Sequence, residues 1–228
     1  MPRSTLRGAA RRTRYALQQQ LERVRPQRDR DEIHSYWERP DAADAGNQPS
    51  AYVAPEGGAA RSELLVSLAE PYLTEHSRVL EVGTNVGRNL NQLWQGGQRN
   101  LTGIEISAQA VEAMRRQYPE MAAGSDIRVG RAEDLLAALE EPFDLVFTMA
   151  VLVHIHFDSD PVVFPDLARL AGRALITVED ERHRSWRHFT RDYREVFEAL
   201  GLRQVRELEC GPLAIGLPSD YVARVFER

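Results

Sequence analysis

The apolar positions of this chain change period along its length. From residue 78 onward, short unbroken apolar runs alternate with segments whose apolar residues recur every three or four positions. The first pattern marks buried strands and the second amphipathic helices. Strands are predicted over 78–82, 101–106, 127–129, 143–148 and 174–178. Helices are predicted over 87–93, from a Ser107 cap to 116 with Val111 and Met114 inward, and over 133–139, 165–171 and 191–200, the last ended by Gly201. Two strands with no helix between them follow, 204–210 and 221–226, joined by a loop with Gly211, Pro212, Gly216 and Pro218. Five strand–helix units build a parallel sheet with helices on both faces. The closing pair must be a hairpin, so one strand at that edge runs antiparallel.

Before residue 78 the pattern is helical and interrupted. Leu17, Leu21 and Val24 form one narrow stripe on a basic helix over 6–24 that Pro26 ends. A short segment over 31–39 brings His34, Tyr36 and Trp37 together. The stretch 40–58 holds Pro40, Gly46, Pro49, Pro55, Gly57 and Gly58 and is predicted to contain no regular element. Ser62 is placed as the cap of a helix with the stripe Leu65, Leu68, Tyr72 and Leu73. The chain thus divides into a helical extension with a lid loop, 1–59, and an α/β domain, 60–228. The lid reading sets 34–37 and the loop to Tyr52 over a ligand; packing of Trp37 in the core is the alternative.

Composition narrows the class. The 228 residues are 43% hydrophobic and 28% charged, which excludes collagen-like, mucin-like and wholly disordered chains. Cys210 is the only cysteine, so no internal disulfide forms and a reducing compartment fits. The longest apolar run, 145–153, is interrupted by Thr148 and falls short of the roughly 20 residues of a membrane span. The basic N-terminus lacks the apolar core of a secretory signal. A cytoplasmic location is expected. All 29 basic residues are arginine. Residues 1–30 carry nine arginines against Glu22 and Asp29, a surplus of seven; with the whole chain at −5, the rest sums to −12. The acidic body argues against a nucleic-acid partner, which only the basic arm could hold. That helix is equally suited to packing on the domain or on a second copy of the chain.

The chemistry-bearing motif is Glu81-Val82-Gly83-Thr84-Asn85-Val86-Gly87, followed by Arg88-Asn89-Leu90. It runs from a strand through a glycine turn into a helix. Gly83 permits a tight turn and close approach of a ligand to the main chain, and Gly87 permits close packing of the helix on the strand. Glu81 stands at the carboxyl end of the strand, where ligands bind in open α/β sheets, and suits a cationic ammonium. The dinucleotide fingerprint differs: it needs bare backbone where Thr84 and Asn85 stand, and an acid there repels a pyrophosphate. Glu105, 22 residues past Gly83, has the spacing of a carboxylate that accepts both hydroxyls of a ribose.

These residues, with Glu105 in GIEIS, RAEDL after the third strand and FDLVFTMAVLVHI at the fourth, resemble the class I S-adenosylmethionine-dependent methyltransferases over residues 60–228. The resemblance implies a Rossmann-like, doubly wound, seven-stranded α/β sheet ending in an antiparallel hairpin. It implies that Glu81, Gly83, Thr84, Asn85 and Gly87 hold the methionine part of S-adenosylmethionine, that Glu105 with Ile106 binds the ribose, that Ala132 and Glu133 flank the adenine, and that Thr148 and Met149 line the floor. The family commonly has glycine where Asn85 stands. Asparagine tolerates left-handed backbone angles, so the turn is expected to survive. Members associated with sugar and nonulosonic-acid pathways look similar here, with asparagine in the turn followed by Gly-Arg-Asn-Leu.

The acceptor is addressed by less specific signals. The fourth strand lacks the Asn/Asp-Pro-Pro-aromatic turn of adenine-N6 methylation. His154 is a candidate general base, with His156 and Asp180 as further catalytic candidates. Tyr36, Trp37, His183, Trp186 and His188 are candidate acceptor contacts. Glu179, Asp180, Asp158 and a histidine could hold a hard cation such as magnesium, although no spacing is diagnostic. The lead expectation is O-methylation of a small polar acceptor, a sugar, glycoside or secondary metabolite. The alternatives are an RNA or protein methyltransferase using the basic arm, and a non-catalytic cofactor-binding module.

Overall fold

The computed structural model describes residues 26–40, 46–53, 58–211 and 221–228. The helix expected over 6–24, and with it the basic arm, lies outside the described residues. Three helices precede the sheet: α1 (Arg30–Glu38), α2 (Pro49–Val53) and α3 (Gly58–Ala69). Then come β1 (Arg78–Val82), α4 (Arg88–Gln95), β2 (Asn100–Glu105), α5 (Ala108–Gln117), α6 (Pro119–Ala123), β3 (Asp126–Val129) and α7 (Ala132–Ala137). The remainder is β4 (Phe143–Met149), α8 (Asp160–Leu170), β5 (Ala171–Asp180), α9 (Tyr193–Ala199), β6 (Arg203–Glu209) and β7 (Tyr221–Glu227).

The seven strands lie in the order β3-β2-β1-β4-β5-β7-β6. All pairs are parallel except those of β7, which runs antiparallel to both β5 and β6. The closing hairpin therefore folds back so that its second strand, not its first, meets the parallel sheet. The order reverses between β1 and β4. At such a switch point the connecting loops part and leave a crevice beyond the carboxyl ends of the strands.

Alternate side chains of the strands feed two cores, one per face. Leu80, Val146, Leu175 and Phe226 pack with Leu136, Leu167 and Phe197 of α7, α8 and α9. Val79, Leu145, Ile176 and Val225 pack with Leu65, Leu68, Leu90 and Leu93 of α3 and α4. A smaller cluster of Ile33, Trp186 and Phe189, flanked by Tyr36 and Trp37, seats α1 on the loop after β5. Asp29 starts α1 by accepting from the Glu32 amide at 2.9 Å. Ser107 and Asp192 cap α5 and α9 in the same way.

Several local expectations are corrected. The loop 40–58 is not free of regular structure, because Pro49 opens α2. Ser62 is not a cap. It lies inside α3, where its hydroxyl donates to Asn89 Oδ1 at 2.8 Å. Helix α8 begins at Asp160, with Pro161 in its first turn and Pro165 inside it. Gly87 does not bring its helix onto the strand. It takes φ 78° as the cap of α4 and faces Met114 and Met121, whereas Gly103 of β2 provides the close approach, with Thr84 and Leu90 over it. Among the described residues no helix is long and apolar enough to cross a membrane.

Candidate active site

A cavity of about 410 Å³ occupies the crevice at the carboxyl ends of β1, β2, β4 and β5. One half is built by the turn after β1. Gly83 has φ 77°, and a Cβ there would lie 2.1 Å from a methyl of Val151. Both backbone and space therefore require glycine. Asn85 takes φ 48°, the left-handed conformation its side chain tolerates. The turn is held by the Gly83 and Thr84 amides, which donate to the Ile104 carbonyl at 2.8 and 3.1 Å.

Two buried carboxylates face this half. Glu81 Oε1 accepts from Asn89 Nδ2 at 2.8 Å, whereas Oε2 is buried with no hydrogen-bond partner among the described residues. Burial pushes this carboxyl up to about 8, against the pull of Asn89 and Arg88. Glu105 is tied by both oxygens, Oε2 accepting from the Asn85 amide at 2.7 Å and Oε1 from the Ser107 amide at 2.9 Å. Burial raises it as well, and these backbone donors moderate the rise. Each oxygen keeps a second lone pair for a hydroxyl. Ile106, Ala132, Glu133 and Met149 also line the cavity. Glu133 Oε1 joins His34 Nε2 at 2.9 Å and accepts from Ser159 Oγ at 2.6 Å. Burial alone would raise it, but these hydrogen bonds bring the carboxyl down to about 2. Glu133 is thus the bolt that fastens α1 over the cavity, and Ala132 is left beside it.

The other half is formed by the β4 and β5 exits and α1. His154, Asp180, His183, Arg187, His188 and Trp37 line it. His154 Nδ1 lies 3.1 Å from the Arg187 carbonyl, an acceptor, so Nδ1 carries the proton and Nε2 the lone pair. Burial, His188 and Arg187 hold this imidazole well below its ordinary value. Its ring packs between Trp37 and His188, at 4.4 and 5.0 Å between centroids. Below them Glu179 is fully buried and holds the β4 exit, accepting from Thr148 Oγ1 at 2.8 Å and from the Val151 amide at 3.0 Å. Burial lifts this carboxyl to about 7. Glu179 thereby fixes Val151, the residue against which Gly83 turns.

Some expected site residues lie elsewhere. Thr148 lies beneath the floor, not on it, with its hydroxyl on Glu179. His156 is outside the cavity, where its Nδ1 accepts from the Asp158 amide at 3.1 Å and its ring packs on Phe189. Tyr36 and Trp186 stack edge to face behind the wall. Tyr36 acts on the site through its hydroxyl, which accepts from Arg187 Nη1 at 2.8 Å. The magnesium set fails, because Glu179 is consumed by Thr148 and backbone amides and Asp158 is exposed. Sequence reading missed Asn89, Arg61, Arg88 and Tyr221 on the cavity wall, and reached Tyr52 only as the end of the lid loop. Asn89 had a signal in the Gly-Arg-Asn-Leu run. Tyr221 had none, being 169 positions from Tyr52, its neighbour on that wall.

Residues 79–172 match the family described as "Methyltransferase domain". No curated protein matches the sequence. Among solved structures, the magnesium protoporphyrin IX methyltransferase of Synechocystis PCC 6803 with bound S-adenosylmethionine is similar at TM-score 0.65 and 18% identity, over 87% of this chain and 96% of that one. A TehB-like S-adenosylmethionine-dependent methyltransferase from Corynebacterium glutamicum gives 0.58 and 18%, over 88% and 100%. The geranyl diphosphate C-methyltransferase of Streptomyces coelicolor A3(2), in complex with Mg²⁺, geranyl diphosphate and S-adenosyl-L-homocysteine, gives 0.62 and 13%, over 87% and 97%. Residues 79–172 thus carry a methyltransferase domain, and the chain shares its fold with enzymes that use S-adenosylmethionine.

The residues present fit that cofactor. The unpartnered Glu81 Oε2 suits its ammonium, the bare Gly83 backbone admits its methionine chain, and Glu105 suits its ribose. When bound, it supplies a methyl group made electrophilic by a sulfonium.

Proposed function

We propose that this chain O-methylates a hydroxyl of a small polar acceptor, such as a sugar, glycoside or secondary metabolite, in the cytoplasm. The observation that carries the reading is His154, whose protonated Nδ1 is fixed on the Arg187 carbonyl while the ring lines the enclosed half of the cavity. Nε2 would then be the base that takes the hydroxyl proton as the methyl carbon bonds to that oxygen, its bond to the sulfonium sulfur breaks, and the sulfur leaves as a neutral thioether. Trp37 and His188 clamp the ring and so hold that nitrogen in place. Carboxylate, imidazole and guanidinium groups around it suit a polyhydroxylated molecule better than an apolar one. The remaining catalytic contribution is alignment of donor and acceptor in a closed space.

The test is a screen of glycosides, phenols, amines and thiols with methyl-labelled cofactor, followed by His154→Ala on whichever acceptor reacts. The expected result is an oxygen acceptor and a kcat lowered about 10²- to 10⁴-fold, with S-adenosylhomocysteine affinity unchanged within about twofold. Exclusive transfer to amines or thiols, or an undiminished kcat, overturns the reading.

A further inference from the structure

The loop leaving β5 gathers a second group of side chains that cofactor binding does not use. Asp180, His183 and His188 each present one donor atom, and the three atoms lie within 4.8 Å of one another. His183 Nδ1 is 3.1 Å from His188 Nδ1 and 3.8 Å from Asp180 Oδ2. Two donors bound to one ion at about 2.0–2.1 Å stand roughly 3.0–3.4 Å apart. The two nitrogens already hold that separation, and Asp180 Oδ2 lies a little beyond it, 3.8 Å from His183 Nδ1.

The donors are held in place by bonds around them. Asp180 Oδ1 accepts from the Arg182 and His183 amides at 3.0 and 2.8 Å, which turns Oδ2 toward the histidines. An antiparallel bridge between Ser185 and His188 closes the loop. Its base is clamped by Arg224 of β7, which donates through two nitrogens to Glu181, each at 2.8 Å. Its far end is tied by Arg191 to Asp160 and to the Ile155 carbonyl. Such outer bonds are what fix ligand orientation in metal centres.

Without an ion the two imidazole nitrogens, 3.1 Å apart, share one proton, and an ion bound by both takes that proton's place. His183 is only 5% exposed. We propose that Asp180, His183 and His188 form a binding site for one divalent transition-metal ion of the zinc class. Two imidazoles and one carboxylate favour such ions over magnesium. Three protein ligands leave coordination positions open, as in catalytic rather than structural centres. All three residues line the acceptor half of the cavity, so an acceptor heteroatom or water completes the coordination.

The site is tested on the full chain, stripped with chelator, with no acceptor or cofactor present. The outcome is therefore independent of which atom is methylated. Titration with Co²⁺ is expected to give a visible absorption band saturating at one ion per chain and displaced by Zn²⁺. His183→Ala and His188→Gln are expected to weaken Zn²⁺ binding at least about 100-fold, while His76→Ala, at an exposed histidine outside the cavity, leaves it unchanged. X-ray absorption of the zinc-loaded wild type needs no variant, and is expected to show only nitrogen and oxygen ligands near 2.0–2.1 Å with imidazole outer shells. Three results each overturn the proposal: no binding by the folded wild type at about 10 μM metal, binding indifferent to both histidine variants, or a sulfur ligand near 2.3 Å, which would place the ion on Cys210.

Discussion

The two halves of the cavity are built by different means. The half that fits the cofactor is made of strand ends and one turn. Glu81 and Glu105 stand at the ends of the paired strands β1 and β2; Asn89 holds Glu81, the Asn85 and Ser107 amides hold Glu105, and the Ile104 carbonyl holds the Gly83 turn. The other half is formed by the β4 and β5 exits and α1, and its β5 loop is held by side chains from distant parts of the chain: Tyr36 on Arg187, Asp160 on Arg191 and Arg224 on Glu181. The first half can hardly change without destroying the sheet. The second can be rebuilt by exchanging a few clamps, which is what a fold serving many acceptors requires.

The sharpest way to break this comparison is at Gly83. Left-handed strain of about 1–2 kcal/mol and overpacking against Val151 of about 1–3 kcal/mol act together in Gly83→Ala. The variant is expected to lose about 2–5 kcal/mol in urea unfolding and more than 100-fold in S-adenosylhomocysteine affinity. His183→Ala in the other half is expected to shift that affinity by less than about threefold. Equal losses in both variants would show that the halves are not separable.

A smaller effect is the proton held by Glu81. Its folded value, about 8, lies above the ordinary 4.5. It therefore opposes folding increasingly as pH rises from about 4.5 to 8. A cofactor ammonium beside Oε2 favours the ionised form, so binding expels a proton below pH 8, and affinity climbs with pH by at most about tenfold per unit. Calorimetry in two buffers of different ionisation enthalpy is expected to show up to about one proton released near pH 7, and none in Glu81→Gln. Binding without proton release would remove Glu81 from the ammonium site.

The smallest effect concerns the bolt between the halves. His34→Ala removes one hydrogen bond from Glu133 and is expected to cost about 1 kcal/mol at neutral pH. The Glu133 carboxyl is lowered to about 2, so this contribution is complete above about pH 4.5 and fades as pH falls toward 2. Urea melts of both proteins across that range should converge at the acid end.

What could be read from the sequence follows the same division. The strands and the Glu81–Gly87 turn were legible because consecutive residues create them: an apolar run, a glycine where φ is positive, an acid at the strand end. Asn85 was readable for the same reason. Helix α2 was not, since Pro49 signals a break by composition yet also suits a first helical turn. The burial of Thr148 under the floor depends on Glu179 from the next strand, and the removal of His156 from the cavity on Phe189. Neither partner is visible in local pattern. The metal donors were half visible: Asp180 and both histidines stood out as a polar cluster, but the clamps that select them over Glu179 and Asp158 come from β7 and α8.

The position of β7 bears on how the protein is made. Because β7 lies between β5 and β6, a nascent chain that has emerged only as far as β6 presents β5 as an open edge, with its ladder unpaired on one side. Arg224 is also still missing, so Glu181 has not received its clamp. During synthesis the turn after β1 can close early, while the loop carrying Asp180, His183 and His188 waits for β7 to slot in. β5 is thus the edge left uncovered until β7 arrives, and the loop beyond it gains its Glu181 clamp only once Arg224 is in place.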